Sequence, residues 1–266
     1  MMSLKYLLLL LLAAGTFVSA TEIITSGHKC QSHLQGAALD EEYIYLSFTS
    51  RLVKSDYTGK FIAELPIPFH TGDICMAEGD IYAATDHRPL GSHATQSAVY
   101  RYGRDLKLKK IYPIYPSHIK IEGITFYKGK FYIGVGGNSP PHRKNDILIC
   151  DREMKLLKRV TVDTGFNTRF GVQNLFVDGG RICGGFYGGQ EGVCFEPETL
   201  KIIGTFPLKP TEGIARMPLK IAGNNNTWLL SRSYGKRGNY RARLRFFRVE
   251  GEKKFLVPLK KLNFPK

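Results

Sequence analysis

Read for alternation of apolar and polar positions, the chain resolves into short strands. The segments at 43–48 (YIYLSF), 80–86 (DIYAATD), 130–135 (KFYIGV), 181–187 (RICGGFY) and 227–232 (TWLLSR) are rich in aromatic and β-branched residues. They alternate with the period of two that a pleated strand imposes. An inner segment precedes each of them: QGAAL, GDICM, EGITF, QNLFV and EGIAR. Gly36, Asp73, Gly123 and Asn174 lie eight residues before Ile44, Ile81, Phe131 and Ile182, whereas Gly213 has a longer connection to Trp228. A second register marks the last strand of each unit, where a polar turn ends in Lys60, Lys107, Lys155, Lys201 and Lys253, at spacings of 47, 48, 46 and 52 residues. A period of roughly 40 to 50 residues carrying several short strands is the mark of units that bury their faces only by stacking in a ring. The pattern predicts an all-β, five-bladed β-propeller, with residues 22–25 as an N-terminal strand that closes the ring in the last blade.

This alignment also sorts the connections. Turns between first and second and between third and fourth strands carry Gly, Asp and Asn and are tight. On the opposite face are the long connections 86–96, 136–144 and 232–240, with the segments that enter each inner strand. Connections longer than closure requires are where function concentrates.

Candidate chemistry gathers on that face. His33, His70 and His118 precede inner strands, and His87, His93 and His142 fall in the long connections. Gln35, Asp73, Glu122, Gln173 and Glu212 begin the inner strands and are expected to ring an axial channel at one depth. There the glutamines would be bridged by water, and Glu122 and Glu212 would raise each other's pKa. Arg88, Arg143, Arg169 and Arg232, with Tyr187, Tyr234 and Tyr240, supply cationic forks for carboxylates and rings that stack on sugars.

The first 20 residues read as a secretory signal, with Lys5, the apolar run Tyr6 to Ala14, and the small-residue site Val-Ser-Ala at 18–20. Residues 21–266 then form a single domain, secreted or periplasmic, with no other segment near the ~20 apolar residues of a membrane span. In such a compartment Cys183 and Cys194, symmetric about Gly188-Gly189, are placed to form a disulfide. Cys30, Cys75 and Cys150 leave an odd thiol. The formal net charge of +15 is uneven: residues 231–266 hold twelve Lys or Arg against Glu250 and Glu252. Arg241, Arg243 and Arg245 alternate with Ala242, Leu244 and Phe246, giving one cationic and one apolar strand face. A charged outer strand that resists aggregation has the same pattern. Outside a cell, an acidic glycan is a more natural partner for this charge than nucleic acid.

The inner segments, HLQGAAL first and EGITF third, resemble those of the five-bladed glutaminyl cyclases of plants and bacteria. That resemblance implies a glutamate in the second inner segment and tryptophans around the pocket. The chain has HTGDI there and only Trp228. SHLQG, HTGD, HIKIEGI and FGVQN are also similar to segments of uncharacterised secreted bacterial propellers. The combination of His, Tyr and Arg resembles propeller polysaccharide lyases.

The leading expectation is β-elimination on an acidic carbohydrate. Arg88 or Arg169 would neutralise a uronate carboxylate, His33 or His70 would take the proton, and Tyr187 or Tyr234 would protonate the leaving oxygen, with Glu122 a further acid. Gln35, His87, His118, Gln173, Glu212 and Arg232 complete the expected binding set. A non-catalytic glycan or protein recognition module is the alternative, and a glutaminyl-cyclase-like or metal-dependent enzyme a third. No CxxC or tight His pair supports a metal site, and no cofactor is legible.

Overall fold

The computed structural model describes residues 20–26, 29–87, 96–116, 119–136, 141–187 and 190–265. The expected signal peptide, apart from Ala20, lies outside the described residues, as do His28, Arg88, His93 and His118. The first strand, β1 (Glu22–Ile24), pairs late in the chain. Two antiparallel four-stranded sheets follow: β2 (Leu34–Leu39), β3 (Ile44–Phe48), β4 (Arg51–Ser55) and β5 (Phe61–Pro66), then β6 (Thr71–Ala77), β7 (Asp80–His87), β8 (Gln96–Tyr102) and β9 (Leu108–Pro113). A seven-stranded path comes next, comprising β10 (Ile121–Tyr127), β11 (Lys130–Val135), β12 (His142–Cys150), β13 (Leu156–Asp178), β14 (Arg181–Tyr187), β15 (Gly192–Phe195) and β16 (Ile202–Phe206).

The path is long because β13 serves two ladders. Its first part pairs with β12, from Leu156 opposite Cys150 to Thr168 opposite His142, and its last part pairs with β14, from Arg169 opposite Tyr187 to Asp178 opposite Arg181. The last sheet holds β17 (Ile214–Arg216), β18 (Thr227–Tyr234), β19 (Arg241–Glu250) and β20 (Lys253–Leu256). The outer edge of β19 is shared: β20 covers Phe247 to Glu250 and β1 covers Arg243 to Arg245, so the two chain ends meet there as expected. Each lysine of the sequence register stands at or immediately before an outermost strand, and the inner segments lie on the innermost ones, except that Glu212 and Gly213 precede β17.

The apolar residues of neighbouring sheets form the core. Tyr45, Leu52, Ile74 and Ile81 join the first two sheets, and Phe176, Phe206 and Trp228 join β13 and β16 to the last. Leu229, Leu244 and Phe246 of the last sheet pack with Leu46, Phe48 and Val53 of the first, which closes the circuit. Alternation on β19 follows from this: Ala242, Leu244 and Phe246 are fully buried, while the intervening arginines face outward. Cys183 and Cys194 stand opposite each other on β14 and β15 and form the expected disulfide, with an S–S distance of 2.02 Å. Cys30, Cys75 and Cys150 are free and buried.

At the axis the inner strands approach too closely for side chains at every position. A Cβ on Gly36 would stand 2.7 Å from Asp73 Cα, and one on Gly213 would stand 2.8 Å from Ala37 N. The expected open channel is therefore corrected. Gly36, Gly123 and Gly213 occupy the same layer as Asp73 and Asn174, and the two side chains fill the space that the glycines vacate. Asp73 Oδ2 accepts the Leu175 N–H at 3.0 Å and the Ile124 N–H at 3.4 Å, and Asn174 Nδ2 donates to the Gln35 carbonyl at 3.0 Å. Burial outweighs those N–H bonds and pushes the Asp73 carboxyl up to about 8. Asp73 thus plugs the axis one layer below Gln35, Glu122 and Gln173.

Candidate functional site

Above the plug, Gly72 is the β6 counterpart of Gln35, Glu122 and Gln173. Its missing side chain decides the local geometry. A Cβ there would meet the Glu122 backbone oxygen at 2.7 Å and Oε2 at 2.8 Å, and a Cβ on Gly136 would stand 2.6 Å from Glu122 Cγ. The two glycines let Glu122 of β10 lean over β6, toward His70.

His70 precedes β6 and is fixed by main-chain bonds: its N–H donates to the Asp86 carbonyl at 3.1 Å, and its carbonyl accepts the Asp86 N–H at 2.8 Å. Gln35 Nε2 lies 3.3 Å from Thr49 Oγ1 and 2.9 Å from His70 Nε2. An amide donor on Nε2 requires the imidazole proton to sit on Nδ1. That Nδ1 faces Glu122 Oε1 at 3.7 Å. Neither His70 Nδ1 nor Glu122 Oε2 has a hydrogen-bond partner among the described residues.

Burial sets the charge of both groups. It raises the Glu122 carboxyl to about 8, helped by the neighbouring Asp86 and Asp73 side chains and opposed by Lys120. It lowers His70 to about 4, with His33 and Lys120 adding repulsion of a second positive charge. At neutral pH the pair is a carboxylic acid and an uncharged imidazole, so each carries a hydrogen that it can donate. Beside them Lys120 Nζ lies 3.6 Å from Asp86 Oδ2. The expected mutual effect of Glu122 and Glu212 is corrected: the acidic groups acting on Glu122 are Asp86 and Asp73. Glu212 is engaged elsewhere, accepting the Ser233 N–H.

The other expected residues divide into groups. His33 is half-buried ahead of β2, where its carbonyl accepts the Thr49 N–H, and it is close enough to His70 to shift that residue's pKa. Gln35 and Gln173 have direct protein partners in place of the expected bridging waters, since Gln173 Nε2 donates to the Phe170 carbonyl at 2.7 Å. Phe170 carries a second cluster. The Arg169 guanidinium lies over its ring at 5.0 Å, and the half-exposed Tyr187 meets it edge-on at 5.3 Å. Arg169 and Tyr187, joined from different sequence arguments, are direct cross-strand partners.

Two expectations separate from this neighbourhood. Arg232 and the ring of Tyr234 are on β18, where Arg232 lines a groove with Lys209 and Arg243, and Arg243 stacks on Tyr234 at 4.6 Å. No described contact brings either to His70 or Glu122. His142 begins β12, so it is a strand residue where a loop residue was expected, and His87 ends β7. Sequence reasoning missed Gly72 and Gly136, whose role shows only when β6 and β11 are placed against Glu122. Among the described residues, no group of three or more His, Cys, Asp or Glu side chains is arranged to hold a metal ion. None of the described helices is long and apolar enough to cross a membrane.

No protein-family model matches the chain, and no curated protein matches its sequence. Among solved structures, the chain is similar to glutaminyl cyclase from Myxococcus xanthus, with a TM-score of 0.59 and 12% identity over 87% of this chain and 97% of that one. The fold is that of a β-propeller. A luciferin-regenerating enzyme gives a TM-score of 0.48 at 12% identity, over 89% of this chain and 98% of that one. A WD40 β-propeller domain gives 0.44 at 10% identity, over 82% and 79%. At these identities the likeness concerns the fold, and propellers host unrelated chemistries.

Proposed function

We propose that the protein is a secreted, five-bladed propeller enzyme that transfers protons on an acidic carbohydrate, with Glu122 and His70 at its centre. Counting β13 once in each of its two ladders gives the five blades, and the N-terminal leader supplies the export signal. The observation that carries the reading is the pair of uncharged donors, Glu122 and the His70 Nδ1–H, buried 3.7 Å apart and without other described hydrogen-bond partners at Oε2 and Nδ1. Each can serve a separate substrate oxygen, Glu122 one that leaves and His70 one that gains negative charge during reaction.

For β-elimination beside a uronate, His33 takes the proton on the carbon next to the carboxylate, and that C–H electron pair becomes the new C=C bond. The neighbouring C–O bond breaks, and Glu122 gives its proton to the leaving oxygen. The His70 N–H holds the uronate carboxylate as charge develops on it. Arg169, Phe170 and Tyr187 offer a cation and ring faces to the rest of the sugar, while Arg88, His87 and His118 remain candidates for the same face. Transfer of a proton from His33 to Glu122 restores the starting state.

Incubation with a panel of uronate polymers, following the ultraviolet absorbance of an unsaturated product, tests this directly. Glu122→Gln should lower turnover by about 10²- to 10⁴-fold. Activity should fall as pH rises through about 8, where Glu122 loses its proton. Binding of the glycan with no turnover by the unaltered protein would make this a recognition module. The fold likeness to a glutaminyl cyclase favours a second reading, cyclisation of an N-terminal glutamine with Glu122 protonating the departing ammonia. Ammonia release from glutaminyl peptides separates the two.

A further inference from the structure

The last sheet carries a basic groove. It encloses about 330 Å³ and is lined by Lys209, Arg232, Arg243, Arg245 and Lys254 over an apolar floor of Leu208, Leu230 and Phe247. Arg232 and Arg243 stand directly opposite each other on β18 and β19, an arrangement of like charges that repels. Glu22 is the acid that answers this cluster among the described residues, and it is committed to Arg245 at 2.7 Å. Its other oxygen lies 3.8 Å from Arg243 Nε, which is buried and has no hydrogen-bond partner among the described residues. Five cations with one carboxylate, two of them held opposite each other, leave a shortage of negative charge that an anionic ligand would fill.

We propose that this groove is a second binding site, for an oligosaccharide bearing sulfate or phosphate ester groups. Tetrahedral oxyanions accept paired N–H bonds from guanidinium forks and keep their charge at neutral pH. The apolar floor suits the C–H faces of sugar rings, which a free inorganic anion lacks. The cavity is large enough for a sugar unit with its ester group. That the polyanion is a glycan rests on the extracellular reading above; the charge shortage does not.

Calorimetric titration with a size-defined heparin oligosaccharide and with a phosphorylated oligomannose tests the site and tells the two esters apart. Arg232→Gln combined with Arg245→Gln should weaken the preferred ligand at least about tenfold, with a shallower salt dependence. Lys209→Gln, an exposed residue that also lines the groove, should weaken it separately by about threefold. Lys155→Gln with Lys158→Gln, exposed just before and on β13, should change nothing. Equal weakening by that control pair would mean that net charge alone attracts the ligand, and would overturn the site. So would equal affinity for inorganic sulfate or for double-stranded DNA. Glu122→Gln should leave this affinity intact; loss of binding there, with none in the arginine variant, would put the glycan at Glu122 and overturn the groove. If no polymer is turned over while the groove variants still lose affinity, the lyase reading falls and this site stands.

Discussion

The axial end of the inner strands and the groove on the last sheet treat charge in opposite ways. Near the axis, Asp73 and Glu122 are held neutral by burial, and His70 is kept from protonation. In the groove, Arg232, Arg245, Lys209 and Lys254 stand together and reach water. Desolvation costs more than a partner returns in the first region, so protons move until the groups are uncharged. In the second, solvent screening makes even like-charge neighbours tolerable. The first region is suited to moving protons and the second to holding ions.

The comparison is broken most severely by filling the axis. Gly36→Val would drive its side chain into Asp73 Cα and Ile74 N, main-chain atoms that no rotamer change can move. We expect a loss of more than about 3 kcal/mol in denaturant unfolding. A retained midpoint would mean that the inner strands are less tightly packed than they stand here. Replacing Cys183 and Cys194 by Ala should cost about 3 kcal/mol, because the bridge closes a loop with a separation of 11 residues. Alkylation followed by intact mass should label only Cys30, Cys75 and Cys150, and those only after unfolding.

The pH dependence sharpens the contrast. Asp73, raised from 3.8 to about 8, and Glu122, raised from 4.5 to about 8, keep protons that the unfolded chain has lost. Each therefore adds stability below its unfolded pKa and loses it as pH climbs to about 8. His70, lowered from 6.5 to about 4, works the other way between those two values, since the unfolded chain binds the proton there. The steepest loss should fall between pH 6.5 and about 8, where the His70 contribution is complete. Asp73→Asn and Glu122→Gln should each flatten that slope by one proton. An unchanged slope in both would contradict the neutral axis. The smallest effect belongs to the groove, where Arg245→Gln should shift stability by under about 1 kcal/mol, and less as salt is added.

Local chemistry is written in the chain itself. The inner and second strands, the lysine register, the disulfide and the cationic face of β19 all follow from side chains whose meaning depends on neighbours a few residues away. His70 and Glu122 could be placed at the starts of inner strands, and Arg169 and Tyr187 on one face, by the same count. What the count cannot supply is how deep a layer lies. It set Asp73 level with Gln35 and Glu122, and it grouped Arg232 and Tyr234 with the histidines. Depth and grouping depend on closure: only when β2, β6, β10, β13 and β17 meet do three glycines leave room for Asp73 and Asn174, and only then does Gly72 admit the Glu122 carboxyl beside His70. The sequence by itself determined the strands and which end of each carries polar groups, because alternation and turn chemistry are local. Tertiary structure alone decided which groups lose water, and with it which are neutral and which stay charged, because desolvation depends on every strand that packs around a site.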